Sequence, residues 1–181
     1  MATIGNSGAG LESNTKAGPS TSHRAESLAA RIEEGAGRLE GFAEGLLDVE
    51  WHTPASPTDK RSVGVIIHHV ATMYPIEIGV ARAIAGGQSV SDVTWDLVAQ
   101  LNAKHARENA HASKSAAITL LRQNSLEAAA AVRAFTDEDL DRATPFLLSS
   151  GAPVTVQFVI EDHALRHSWH HLAAIRKALG R

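Results

Sequence analysis

The sequence predicts an all-α protein, a four-helix bundle with an extra short helix or a kinked second helix. Three observations predict it. Alanine and leucine dominate while aromatics make up 4% of the chain, which favours helices packed closely through small side chains. The β-branched residues form no sustained alternating runs, and apolar residues instead recur at spacings of three, four and seven. At 181 residues the chain suits one domain, large enough to bury roughly two-thirds of its unfolded surface.

Residues 1–22 are rich in Gly, Ser, Thr and Ala and carry almost no large apolar side chain. Such a segment cannot bury enough surface to offset its ordering entropy, so a mobile tail is expected there and the bundle over 23–181. Leu28, Ile32, Leu39, Phe42 and Leu46 share a stripe that predicts a first helix over 23–50. Gly35, Gly37, Gly41 and Gly45 cost it about 1 kcal/mol each against alanine, and close approach of a neighbouring helix would account for them. Residues 51–61, with Pro54, Pro57 and Asp59, read as a connection. Ser62 then caps a second helix that carries Ile66, Met73, Ile76 and Val80 on one stripe and ends near Gly86 and Gly87. Pro75 lies inside it and lacks an amide proton, which predicts a kink or a broken turn.

A third helix starts at Thr94 and runs through Trp95, Val98, Leu101, Asn102 and His105 to about Ala110, with a face of moderate apolarity. Ser113 or Ser115 opens a fourth, with Ile118, Leu121, Ala128, Val132 and Phe135 inward. The capping sequence from Thr136 to Asp139 predicts a short helical turn, and 143–153 read as a loop around Pro145, Gly151 and Pro153. The last helix spans about 155–179 and closes at Gly180.

A net charge of -3 and a pI near 6.3 give no field of the kind that gathers nucleic acid or acidic lipid. Cysteine is absent, so the chain has no disulfide, no thiolate ligand and no thiol nucleophile of its own. No stretch reaches the roughly 18 uncharged apolar residues of a membrane span, and the first 22 lack a signal-peptide core. A cytoplasmic protein with a small-molecule substrate is the expectation.

Four of the ten histidines, His163, His167, His170 and His171, fall within 161–171. Histidines four apart on a helix share a face and reach one ion at the roughly 2.0–2.1 Å that zinc requires. Both His163/His167 and His167/His171 have that spacing. At about 100° per residue, Ile160, Ala164, Ile175, Ala178 and Leu179 form the apolar face, with His167 and His171 on its border. These two are therefore the chosen ligands, with His163 as substitute. A third ligand must come from elsewhere, and the stripe of the second helix passes through His69, with His68 beside it. The candidate triad is His69, His167 and His171, set against the plainer reading of an unoccupied polar cluster.

Other constellations are weaker. Glu108 and His111 have the spacing used by di-iron bundles but no second copy, so a carboxylate-bridged di-iron centre is rejected. There is no HExxH, glycine-rich phosphate loop or GxSxG motif. His105, Asn102 and Asn109 would line a pocket if the third helix faces one, although exposed helix polars are the commoner explanation.

The segment 62–71, which ends just past His69, and the segment 167–176, which holds the last histidine pair, resemble motifs of the DinB/YfiT-like superfamily. So do 102–105 and 137–141, and the resemblance covers about 24–180. It implies a four-helix bundle that binds one divalent metal, zinc or nickel, through a histidine of the second helix and an HxxxH pair of the last. Carried over, that pattern falls on His69, His167 and His171. The chain departs from many relatives at Ala174, where they place glutamine, and in its extra His163 and His170.

Three imidazoles leave a coordination position open for water or substrate. The resemblance implies metal-dependent chemistry on a low-molecular-weight thiol, of the S-transferase type or of the mycothiol-dependent isomerase type. Metal-dependent hydrolysis is an alternative, and so is a non-catalytic bundle that binds metal or responds to stress. The family also implies a homodimer, which the small-residue faces of the first and fourth helices would allow.

Overall fold

The structure, a computed structural model, describes residues 22–56 and 58–181. The tail expected over 1–22 lies outside the described residues except for Ser22. That side chain caps the first helix, α1 (His23–Glu44), by accepting from the amide of Ala25 at 3.0 Å. Leu28, Ile32 and Leu39 are buried along α1 with Ala25, Ala29, Ala36 and Ala43 between them. The helix ends at Gly45, earlier than expected. Leu46 turns into the core, and a separate short helix, α2 (Asp48–Trp51), buries Trp51 and lets its indole N–H donate to the carbonyl of Ala112 at 3.0 Å.

Of the four glycines in or just after α1, Gly35 alone is explained by close packing. A Cβ there would lie 2.7 Å from the indole nitrogen of Trp169, whereas at Gly37 and Gly41 it would meet nothing within 4 Å. Gly64 is a second close approach, with the ring of Trp51 2.3 Å from where its Cβ would stand.

Ser62 caps α3 (Val63–Ala85), as its hydroxyl predicts. The helix runs unbroken through Pro75. Pro75 has no N–H to give the carbonyl of Ala71, but the Asn124 side-chain amide donates to that carbonyl at 2.8 Å and the gap is filled from a neighbouring helix. Among the described helices α3 is also long and apolar enough to cross a membrane by composition. Most of its apolar length is buried inside the bundle.

Thr94 caps α4 (Trp95–Glu108). Next come α5 (Lys114–Arg133), with Ile118, Leu121, Ala128 and Val132 inward, and α6 (Asp137–Asp141), opened by a Thr136–Asp139 capping box. The segment expected as a loop contains a two-stranded antiparallel ladder, β1 (Ala143–Pro145) on β2 (Pro153–Thr155), with Thr144 opposite Val154. Val90 joins it by a bridge to Phe146. Prolines in both strands obscure a ladder this short in the sequence.

The last helix begins as α7 (Val156–Val159), capped by Thr155. It widens into a π-helical turn over Ile160–Leu165 and continues as α8 (Arg166–Leu179), with Gly180 in the left-handed conformation behind it. The bundle is a ring in which α5 packs on α1 and α3, and the α7–α8 helix closes the other side against the same two. Arg133 ties α5 to α1 through Glu33 (2.6 Å) and Glu26 (2.8 Å). Helix α4 stays outside the ring, beside α3, and buries none of its residues.

Candidate metal centre

Helices α3 and α8 are held in register by a buried hydrogen bond between the hydroxyls of Tyr74 and Ser168, 2.7 Å apart. Burial drives the Tyr74 phenol well above its ordinary pKa, so it stays protonated. Beside this tie three imidazoles meet. His69 of α3 and His167 of α8 bring their Nε2 atoms to 3.2 Å. The ring of His171 lies 4.9 Å from that of His167 and 5.7 Å from that of His69, centroid to centroid. One ring nitrogen from each of the three falls within 4.8 Å of the others.

Removal from water pushes His69 down to about 3 and His171 down to about 2, with repulsion from His167 next in size for each. Both are therefore neutral near pH 7, the form in which imidazole coordinates. His167 is oriented by Glu77, whose Oε1 accepts from its Nδ1–H at 2.6 Å. With Nδ1 carrying the proton, Nε2 keeps its lone pair and aims it at His69. A carboxyl behind a ligating histidine is the usual means of fixing tautomer and ring angle.

These residues fit a divalent ion. Two ligands at roughly 2.0–2.1 Å from a tetrahedral ion stand roughly 3.3 Å apart, close to the 3.2 Å between the two Nε2 atoms. The donors are uncharged nitrogens, which suit zinc, copper or nickel better than calcium or magnesium.

The triad that the sequence singles out is thus brought together, and the substitute is not. His163 lies in the π-helical turn, where each residue advances the chain through less rotation than in an α-helix, so it does not stack in the row of His167 and His171. Its ring packs edge-on against Phe146, with centroids 5.8 Å apart. His170 is exposed beside His171. His69 is buried for a reason other than the expected one. Met73, Ile76 and Val80, read as bundle-facing, line a cleft on the outer side of α3, and Ile76 is 57% exposed. The bundle face is made by Val63, Ile67, Val70, Tyr74, Ile78 and Ala81, and His69 sits on the border between the two.

Glu77 escapes the sequence reading. The available signal was that it is the one carboxyl in a 23-residue apolar helix, eight residues and just over two turns beyond His69. His68 and His105 also pair, Nδ1 to Nε2 at 2.9 Å, and burial lowers both below the ordinary imidazole value. His105 and Asn102 of α4 line the cleft, whereas Asn109 caps α4 by donating to the carbonyl of His105.

The cleft has a volume of ≈ 670 Å³ and includes all three histidines of the triad in its lining. Fold and site together define a class, helical bundles with a histidine cluster shared between the second and last bundle helices. The chain belongs to the DinB superfamily, whose sequence profile matches residues 31–175. Its fold is similar to that of YfiT from Bacillus subtilis, with a TM-score of 0.69, 20% identity and 88% of each chain covered. That protein is described as "a probable metal-dependent hydrolase with an unusual four-helix bundle topology". Among curated proteins no sequence matches the chain.

Proposed function

We propose that this chain is a metal-dependent enzyme that holds one divalent ion, zinc or nickel, on His69, His167 and His171. It acts on a small organic substrate, with a low-molecular-weight thiol as co-substrate. The observation that carries the reading is the meeting of three imidazole nitrogens within 4.8 Å of one another at the wall of an open cleft. A site closed on all sides would suit a structural ion, and an opening to a cleft suits catalysis. A divalent ion held there would supply Lewis acidity and lower the pKa of a coordinated thiol or water.

The chain's own residues do the rest. Glu77 keeps the proton of His167 on Nδ1, away from the ligand side. The Tyr74–Ser168 bond fixes the spacing of the two helices that supply the ligands. The cleft walls hold the organic part of the substrate. The absence of cysteine means that any thiol must arrive from solution, which the cleft's volume permits. Hydrolysis is the second reading, favoured by the likeness to YfiT and by its description as a probable metal-dependent hydrolase.

The test is elemental analysis of untagged protein followed by two panels, small thiols with electrophilic aryl halides and activated esters without thiol. One ion per chain and metal-dependent turnover in the first panel are expected, with both lost in His167→Ala. Turnover in the ester panel alone would favour hydrolysis. Full metal content in His167→Ala would refute the ligand assignment, and bound metal with no turnover in either panel would favour a non-catalytic role.

A further inference from the structure

Nine large apolar side chains are left exposed among the described residues, and four of them, Ile76, Trp95, Leu97 and Leu101, line the same cleft as the triad. They are 57%, 64%, 38% and 53% exposed, respectively. Three of the four belong to α4, an amphipathic helix that buries none of its residues. An amphipathic helix ordinarily spends its apolar face on the core. Here that face is turned toward the cleft, opposite Met73 and Val80 of α3.

The charges on the lining decide the character of what fits. Arg61 is held by Asp59 at 2.6 Å, Arg166 by Asp162 at 2.5 Å, and Lys104 faces Glu108 at 3.8 Å. Each of these three cations has a carboxyl of its own chain within 4 Å, so the cleft carries no excess of arginine or lysine charge to select an anionic body. The polar groups that converge on one point are the imidazoles of the triad, and they share the cleft with the exposed apolar side chains of α3 and α4.

We infer that the cleft between α3 and α4 selects a substrate with an uncharged apolar body, an alkyl chain or aromatic ring system, that places a metal-binding head at the triad. This rests on the metal reading above for the head and on the α3–α4 walls alone for the body. A volume of ≈ 670 Å³ lies in the range of small-molecule sites, and a mostly apolar lining with a few convergent polar groups is their usual make-up. The small ligand is preferred to a second copy of the chain because the exposed apolar residues and the buried triad line one and the same concave cleft.

The experiment is a chain-length series of alkyl hydroxamates, acetohydroxamate to octanohydroxamate, titrated calorimetrically into the zinc-loaded full chain. A parallel arm titrates the uncharged fluorophore N-phenyl-1-naphthylamine into the metal-free chain. Burial of each methylene predicts affinity rising about two- to fourfold per added carbon. The fluorophore should bind the metal-free chain and be displaced by 1-octanol. Leu101→Asp, a change at a half-exposed position, should weaken octanohydroxamate at least tenfold.

Hydroxamates that bind the zinc-loaded chain equally well at every length would overturn the apolar-body inference while leaving the metal centre standing. Fluorophore binding displaced by octanol, with no hydroxamate affinity, would do the reverse, sinking the metal reading and supporting the apolar cleft. A dimer in sedimentation equilibrium that Leu101→Asp dissolves, with no chain-length dependence, would assign the face to a second copy and overturn the inference.

Discussion

Glu77 is 6% exposed, and one of its oxygens, Oε2, has no hydrogen-bond partner among the described residues. Leaving a carboxyl oxygen unpaired in the core is costly, so the other oxygen's bond to His167 has to justify the placement. Orientation of His167 as the proposed ligand provides that justification. Replacing Glu77 with leucine removes the acceptor, frees the His167 ring to turn and allows the proton to move to Nε2. Zinc affinity should then fall about 10- to 100-fold, as for other groups that orient metal ligands. Glu77→Gln retains an oxygen acceptor and should lose less. Competition titration with a chromophoric chelator checks both, and unchanged affinity in the leucine variant would remove Glu77 from the site.

At the scale of elements, α3 is the piece on which the centre depends, since it supplies His69, Glu77 and Tyr74 along one length of helix. Its continuity through Pro75 is a tertiary effect. The carbonyl of Ala71 is served by Asn124 of α5, so the break that proline predicts locally is repaired by a neighbour. Asn124→Leu should strand that carbonyl and destabilise the protein by about 1–3 kcal/mol, read from urea denaturation midpoints at constant slope. A midpoint within error of the parent would mean that α3 tolerates the gap without help. The π-helical turn of the last helix is a similar case. A fixed 100° per residue holds within α8, where His167 and His171 stand, and fails across Ile160–Leu165, where His163 stands.

For the whole molecule, the triad joins α3 to α8 across one side of the ring, so its protonation state enters global stability. His69 and His171 fall from an ordinary 6.5 to about 3 and about 2 in the folded chain. Between those values and 6.5 the unfolded chain binds protons that the folded one does not. Stability therefore rises with pH through this window and is lost as pH falls below about 6.5. The two groups together contribute a slope of up to about 3 kcal/mol per pH unit. The Tm of the metal-free protein should drop steeply from pH 6.5 to 5. At pH 7, zinc at 100 times its Kd should add about 2.7 kcal/mol, a rise of about 5–10 °C at this chain length that a chelator reverses. A Tm that is flat across the acid range would contradict the burial of the imidazoles.

The helical class, most helix starts and the His167–His171 pair were legible in the residues because each rests on local chemistry: capping side chains at Ser62, Thr94, Thr136 and Thr155, and imidazoles one turn apart in α8. His69 was picked from a stripe that faces the cleft and not the bundle, so its meeting with that pair belongs to the tertiary structure. What tertiary structure decided was every relation between segments distant in sequence. The turn after Gly45 leads into Trp51, whose ring packs on Gly64 of α3, the carbonyl left open in α3 is served by Asn124, and the wider turn before α8 lies against α1 and α3. The same holds for the face of α4, whose exposed apolar residues read as a weak core stripe until α3 lies opposite them. Periodicity reports that one side of a helix differs from the other, and only the folded chain establishes whether that side meets protein or an open cleft.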